Sequence, residues 1–227
     1  MESKKSPSPK KHKLRKRYVV DQDKKSKGKR KVFHYYDNPK EPILAGGVIF
    51  IKKEKESNSI FLQIQYDNER GSANNKLADF GGKTDMEDHS IADTITREFN
   101  EETNFQFYLK NSITNKRRLT IDDKEEVIQA NKYIKNLMLK NLIQTIYVPK
   151  SKYVIFICTF PEEWKGKRYH FGEYEQTDKI KRNAIWVNVD DFFSKYFEEK
   201  QIHPRLWNGD LLKLLKKYVK PKYGFSE

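Results

Sequence analysis

From Ile43 onward, apolar residues fall into two kinds of pattern. ILAGGVIFIKK reads as a strand that starts under a Gly pair, with β-branched residues after it. In SIFLQIQYD, Ile60, Leu62, Ile64 and Tyr66 share one face and Gln63 and Gln65 the other, the period-two signature of a strand. Charged KEKESNS between them makes the pair a hairpin with a long loop, and DNERGSANN is a further loop rich in turn formers. KLADFGGK is a short extended segment ending at a second Gly pair. The pattern then becomes helical. Ile91, Ile95 and Phe99 recur every four residues behind Ser90, a candidate N-cap, which predicts a helix of about four turns. FQFYLK and RRLTI read as the next strands. Val127, Ala130, Ile134, Leu137 and Met138 mark a second helix at about residues 123–140. IQTIYV and YVIFICTF are strands, the latter apolar throughout and therefore central. KRNAIWVNVDDFF is one more strand, whose Asp-Asp suits a turn or helix start, and LLKLLKKY is an amphipathic helix. Strands and helices are mixed without the regular alternation of a doubly wound sheet. That predicts a layered α/β or α+β domain with a mixed sheet, the helix at 123–140 being an insertion that covers one face.

Before Ile43 this patterning lapses, and charge takes its place. Residues 1–40 hold 15 Lys and Arg against 4 Asp and Glu, a net of +11. The whole chain carries +14, so the remainder is close to balanced at +3. Two basic blocks, KKHKLRKR and KKSKGKRK, cannot bury enough surface to offset the entropy of ordering them. The expectation is a disordered basic tail over residues 1–38 and one domain over 39–227, with Val32, Phe33 and Tyr35 docking at the domain edge. Such a tail suits RNA phosphates or a nuclear import address; the plainer alternative is a solubilising tail.

Composition narrows the rest. A single Cys rules out a disulfide framework and a Cys-based zinc site. No run approaches the roughly 18 apolar residues of a membrane span. The first residues lack an apolar stretch behind their charges, so no secretory signal is expected. The expected setting is intracellular, cytoplasmic or nuclear, without a membrane partner. Oligomeric state is left open.

The candidate chemistry lies in FGGKTDMEDHSIADTITREFNEETNF, Phe80 to Phe105. Glu98, Glu101 and Glu102 fall within one sector of about 100° on a helix. Like charges so placed repel, and a divalent cation would offset that. Carboxylate oxygens are the ligands that Mg²⁺ and Mn²⁺ prefer. Upstream, Gly81 and Gly82 lead to this helix through Asp85, Glu87 and Asp88. A glycine exposes its backbone to a metal or a phosphate because no Cβ intervenes. An acidic solvated helix face is the plain alternative for such a run taken alone.

This segment resembles the box of the Nudix hydrolases, G-x5-E-x7-R-E-U-x-E-E-x-G-U, with U aliphatic or aromatic. Gly82 matches the first glycine, and Arg97-Glu98-Phe99-x-Glu101-Glu102 matches the second half residue for residue. Three departures stand out. Asp88 replaces the first Glu, the spacer from Asp88 to Arg97 is eight residues rather than seven, and Asn104 replaces the last glycine. Asn is the next best residue for a left-handed helix end.

The resemblance implies a Nudix-type α/β/α sandwich and a Mg²⁺- or Mn²⁺-dependent hydrolase. Its substrate would be a nucleoside diphosphate derivative, cleaved by attack of water on phosphorus. It also implies roles. Glu101 and Glu102 would be metal ligands together with the Gly81 carbonyl, and Glu98 a ligand or the base. Arg97 would hold a glutamate through a charge-assisted hydrogen bond. Gly82 and Lys83 would lie at the substrate. A further acid often precedes the last strand, where Glu173 and Glu175 stand here, among Tyr169, His170, Phe171 and Tyr174 that suit stacking on a base or local packing.

Other signals are weaker. His89 reads as an exposed loop residue, Cys158 as core, and Trp164, Trp186 and Trp207 as packing. Signatures of particular substrate branches (ADP-ribose, NADH, coenzyme A and the main decapping enzymes) are not recognisable. Three functions therefore stand: a hydrolase of a small nucleotide, an RNA-directed cap hydrolase that uses the basic tail, and an inactive binding module.

Overall fold

The computed structural model describes residues 18–21, 30–35, 38–54, 57–66, 75–108, 122–165, 181–197 and 199–218. Its first three strands, β1 (Tyr18–Asp21), β2 (Arg30–Tyr35) and β3 (Asn38–Ile43), form a small antiparallel sheet in that order. Charge alone predicts a tail as far as residue 38. Arg30–Tyr35 pairs as a strand instead, because Val32 and Phe33 have somewhere to go: both are buried. Phe33 joins the same apolar cluster as Val48 and Phe50. Tyr18–Asp21 of the expected tail pairs with β2, while residues 1–17, 22–29 and 36–37 lie outside the described residues.

The main sheet is built from β4 (Ala45–Lys53), β5 (Asn58–Tyr66), β6 (Leu77–Ala78), β7 (Phe80–Lys83), β8 (Leu142–Val148), β9 (Tyr153–Thr159) and β10 (Lys181–Asn188). Its order is β10-β5-β4-β9-β8, with β6 paired to β5 and β7 to β4. β4 and β9 run parallel, and the other pairs are antiparallel, so the sheet is mixed. β9 is an interior strand, and its apolar sequence follows from being covered on both faces.

Helices cover both faces. On β4, Val48 and Phe50 point into a cluster with Ile91, Ile95 and Phe99 of α1 (Ile91–Glu102) and Ile134 and Met138 of α2 (Lys124–Lys140). Their neighbours Ile49 and Ile51 point the other way. There they meet Phe192 and Leu211, Leu214 and Leu215. These belong to the C-terminal helices α3 (Val189–Asp191), which continues as a π-helical turn over Phe192–Phe197, and α4 (Gly209–Lys216). The protein is thus a mixed α/β domain with three layers. Aromatic rings tie α1 to the sheet: Phe99 lies 5.3 Å from both Phe50 and Phe80, centroid to centroid. Truncating such a buried ring to Ala costs about 3–5 kcal/mol, so the position of α1 over the sheet is firmly set.

One expected strand does not form among the described residues. Phe105–Phe107, the first half of the expected strand FQFYLK, belong to the turn Thr103–Phe107. Asn104 and Phe105 both adopt positive φ, 50° and 59°, and the Phe105 N–H reaches back to the Asn100 carbonyl at 2.7 Å. The chain reverses there and drops Phe107 into the core, 4.5 Å from the Trp164 ring. The expected strand RRLTI lies outside the described residues. No described helix is long and apolar enough to cross a membrane.

Candidate active site

Three local devices bring the box residues together. The first is the start of α1. Ser90 caps it by accepting the Asp93 N–H at 3.2 Å, and its hydroxyl donates to Asp93 Oδ2 at 2.8 Å. This reciprocal pair satisfies donors that a helix start leaves orphaned. Burial alone would raise the Asp93 carboxyl, but the Lys135 ammonium at 2.6 Å and the Ser90 hydroxyl outweigh it and hold it below its usual range.

The second device is Asp88, which folds the box loop back on the helix. Its Oδ2 accepts from the Asp85 N–H at 2.8 Å and the Thr94 hydroxyl at 2.7 Å. Arg97 adds bonds from Nε to Oδ1 at 3.2 Å and from Nη2 to Oδ2 at 3.3 Å. The shorter acid and the extra spacer residue thus still meet the arginine. Lys31 of β2 donates to the Asp88 carbonyl at 2.6 Å, and Thr84 donates to the Lys31 carbonyl at 2.6 Å. The N-terminal sheet is therefore fastened to the box loop itself.

The third device is the close approach of β7 to α1. A Cβ on Gly82 would strike the Glu98 carboxylate. A Cβ on Gly81 would strike the Gly46 carbonyl and the Tyr153 hydroxyl. The Gly81 N–H instead donates to Glu102 Oε2 at 2.8 Å.

The three glutamates are held in two ways. Arg97 Nη1 donates to Glu98 Oε1 at 2.9 Å and to Glu101 Oε2 at 3.3 Å, while Nη2 donates to the Lys83 carbonyl at 2.8 Å. Burial alone would lower the Arg97 pKa; Asp88, Glu98 and Glu101 together raise it above its ordinary value. Three carboxylates thus already converge on one cationic group. The Glu102 side chain is 2% exposed and pairs with Arg182 of β10 at 2.9 Å. Gln63 Nε2 donates to its other oxygen at 2.8 Å. Among the described residues, no three His, Cys, Asp or Glu side chains stand assembled as a metal cage. Glu98 and Glu101 share Arg97 Nη1, with Glu102 one helical turn or less away. All are oxygen donors, which suits a hard divalent cation. Arg97 and Arg182 now supply the positive charge beside them.

α2 forms an outer wall to the box loop. Between them lies a cleft of about 770 Å³, lined by His89, Asp93, Arg97, Ile128, Lys132 and Lys135 among others. His89 is exposed at its edge. The Lys83 side chain is exposed too, and its carbonyl rather than its ammonium contacts Arg97. Glu173, Glu175 and their aromatic neighbours lie outside the described residues. Cys158 is fully buried, and burial pushes its thiol well above the usual range. Trp164 is buried, while Trp186 and Trp207 are partly exposed and pack on Phe61 and Phe197.

Sequence reasoning missed Lys31, Gln63, Asp79, Arg182 and Arg205, all of which contact the box or its supports. Asp79 carried a signal: it is a lone acid in the apolar run LADF. Lys31, Gln63 and Arg182 meet the box, and Arg205 meets Asp79, across 39 or more residues of chain, and spacing says nothing about such contacts.

No known protein family matches the chain, and no curated protein sequence matches it. Solved structures do. A Nudix hydrolase from Alicyclobacillus acidocaldarius is 14% identical, with a TM-score of 0.44, over 78% of this chain and 91% of that one. An Ap4A hydrolase from C. elegans is 15% identical, with a TM-score of 0.36, over 77% and 94%. The Nudix hydrolase RenU from M. smegmatis is 11% identical, with a TM-score of 0.36, over 77% and 84%.

Proposed function

We propose that this chain is a divalent-metal-dependent Nudix pyrophosphohydrolase acting on a nucleoside diphosphate derivative. One observation carries the reading. Arg97 gathers Asp88, Glu98 and Glu101 around a single guanidinium, against a glycine pair of β7 that a side chain would obstruct. In this reading Glu98, Glu101 and Glu102 hold Mg²⁺ or Mn²⁺, with the Gly81 carbonyl as a further ligand. The bound ion would offset charge on the phosphoryl oxygens and make water a better nucleophile at neutral pH. Arg97 keeps Glu98 and Glu101 oriented through charge-assisted bonds. Glu98, the carboxylate beside Gly82, is the candidate base. Gly82 and Lys83 form the edge where the pyrophosphate would approach, and Glu173 and Glu175 remain candidates for a further acid.

The test is hydrolysis of nucleotide derivatives and capped RNA with Mg²⁺ or Mn²⁺. Glu101→Gln keeps the side-chain shape and removes the charge. It should lower turnover by about a hundredfold or more, the scale of losing one group that stabilises developing charge. Equal turnover by the variant would refute the assignment.

A second reading, an RNA-directed hydrolase, has one specific contact in its favour. Lys31, the last residue of the basic block KKSKGKRK, bonds to the box loop, so that block ends beside the proposed site.

A further inference from the structure

Behind Glu102 lies a second set of buried polar groups, anchored by the C-terminal part of the chain. Asp79, two residues before Gly81, is fully buried, and its carbonyl and both carboxylate oxygens accept hydrogen bonds. Arg205 Nε donates to Oδ1 at 2.5 Å, and Arg205 Nη2 donates to the main-chain carbonyl at 2.9 Å. The Tyr153 hydroxyl donates to Oδ2 at 2.8 Å. Gln63 Nε2 is shared between that same carbonyl and Glu102 Oε2, at 2.8 Å to each. The Gly81 N–H closes the circuit on Glu102. Asp79, Gln63 and Glu102 are all buried, so water does not screen these contacts.

Arg205 reaches Asp79 because the chain before it runs beside β6. The Leu77 N–H donates to the Gln201 carbonyl at 2.8 Å, and the His203 N–H donates to the Leu77 carbonyl at 2.8 Å. The guanidinium lies over the Tyr153 ring, 5.0 Å from its centroid. A buried carboxylate persists only when paired and hydrogen-bonded, and Arg205 meets both needs with its planar fork.

We propose that Arg205 and Gln63 are positioning residues: Arg205 fixes Asp79 at two points, and Gln63 passes that position to the carboxylate of Glu102. Neither side chain touches the cation or the substrate. The proposal rests on the reading of Glu102 as a metal ligand. A purely structural role is the alternative, in which Arg205 only fastens the C-terminal segment to the sheet. The two differ in whether the effects of Arg205 and Gln63 are coupled.

Mn²⁺ affinity of the full chain, measured by isothermal titration calorimetry with the melting temperature recorded alongside, distinguishes them. Arg205→Lys keeps the charge and loses the two-point grip. Gln63→Met keeps the shape and removes the shared amide. Partners of metal ligands are worth about 10–100-fold in metal affinity, so each variant should weaken Mn²⁺ binding by about tenfold or more. Because both act through one chain of contacts, the double variant should bind no more weakly than the worse single one. If Arg205→Lys does not fold, Arg205→Gln replaces it. Losses that multiply in the double variant overturn the proposal, as does unaltered Mn²⁺ affinity in both single variants. Absence of Mn²⁺ binding in the unsubstituted chain contradicts the metal reading itself and removes this proposal with it.

Discussion

Gly81 and Gly82 adjoin in sequence but are required for different reasons. The atoms that a Cβ on Gly82 would meet belong to the Glu98 carboxylate, the far end of a flexible side chain. A Cβ on Gly81 would meet backbone, the Gly46 carbonyl and the Gly47 Cα. Gly82→Ala should therefore displace Glu98 and cost activity while the melting temperature stays close to that of the parent. Gly81→Ala should lower the melting temperature itself, because a close-packed strand pair cannot give way cheaply. Thermal melts and turnover on the two proteins check this, and equal melting temperatures would contradict it. At this scale the sequence was informative about the box and silent about its supports. Ser90, Arg97, Glu98 and Asn104 stand where local spacing and capping chemistry place them. Gln63, Arg182 and Arg205 act through contacts that only the folded sheet creates.

Among the elements, helices and long strands were legible because their periodicity repeats over two turns or more. Ala130, Ile134, Leu137 and Met138 line the buried face of α2, and β4 and β5 form the expected hairpin. Short or irregular pieces were not. The run FQFYLK has strand-like residues, yet two left-handed residues make its start a turn that buries Phe105 and Phe107. β2 was hidden because only Val32 and Phe33 interrupt a basic stretch. Its burial makes it part of the domain and gives an expected outcome. Phe33→Ala should destabilise the fold by about 3 kcal/mol, the cost of truncating a buried ring, in urea unfolding. A midpoint equal to that of the parent would mean that the N-terminal sheet contributes nothing to the core. The contact of Lys31 with Asp88 also predicts that such a variant loses turnover along with stability.

For the whole molecule, the uneven charge and the acidic box lead to two separate predictions. If the basic segment binds RNA, the log of affinity should fall steeply with log salt. Deleting residues 1–29 should then flatten that slope by roughly 0.7 for each phosphate that the segment neutralises. RNA affinity unchanged by the deletion would limit the segment to import or solubility. The proposed reaction rests on the domain, where Arg97, Glu98, Glu101 and Glu102 are gathered behind two glycines. The most direct measurement is hydrolysis of a nucleoside diphosphate derivative in ¹⁸O-labelled water with Mn²⁺, with the products analysed by mass spectrometry. Attack of water on phosphorus places one ¹⁸O in a phosphate product, and chelation of the metal stops the release. Phosphate products free of label, or release that continues without metal, would contradict the account.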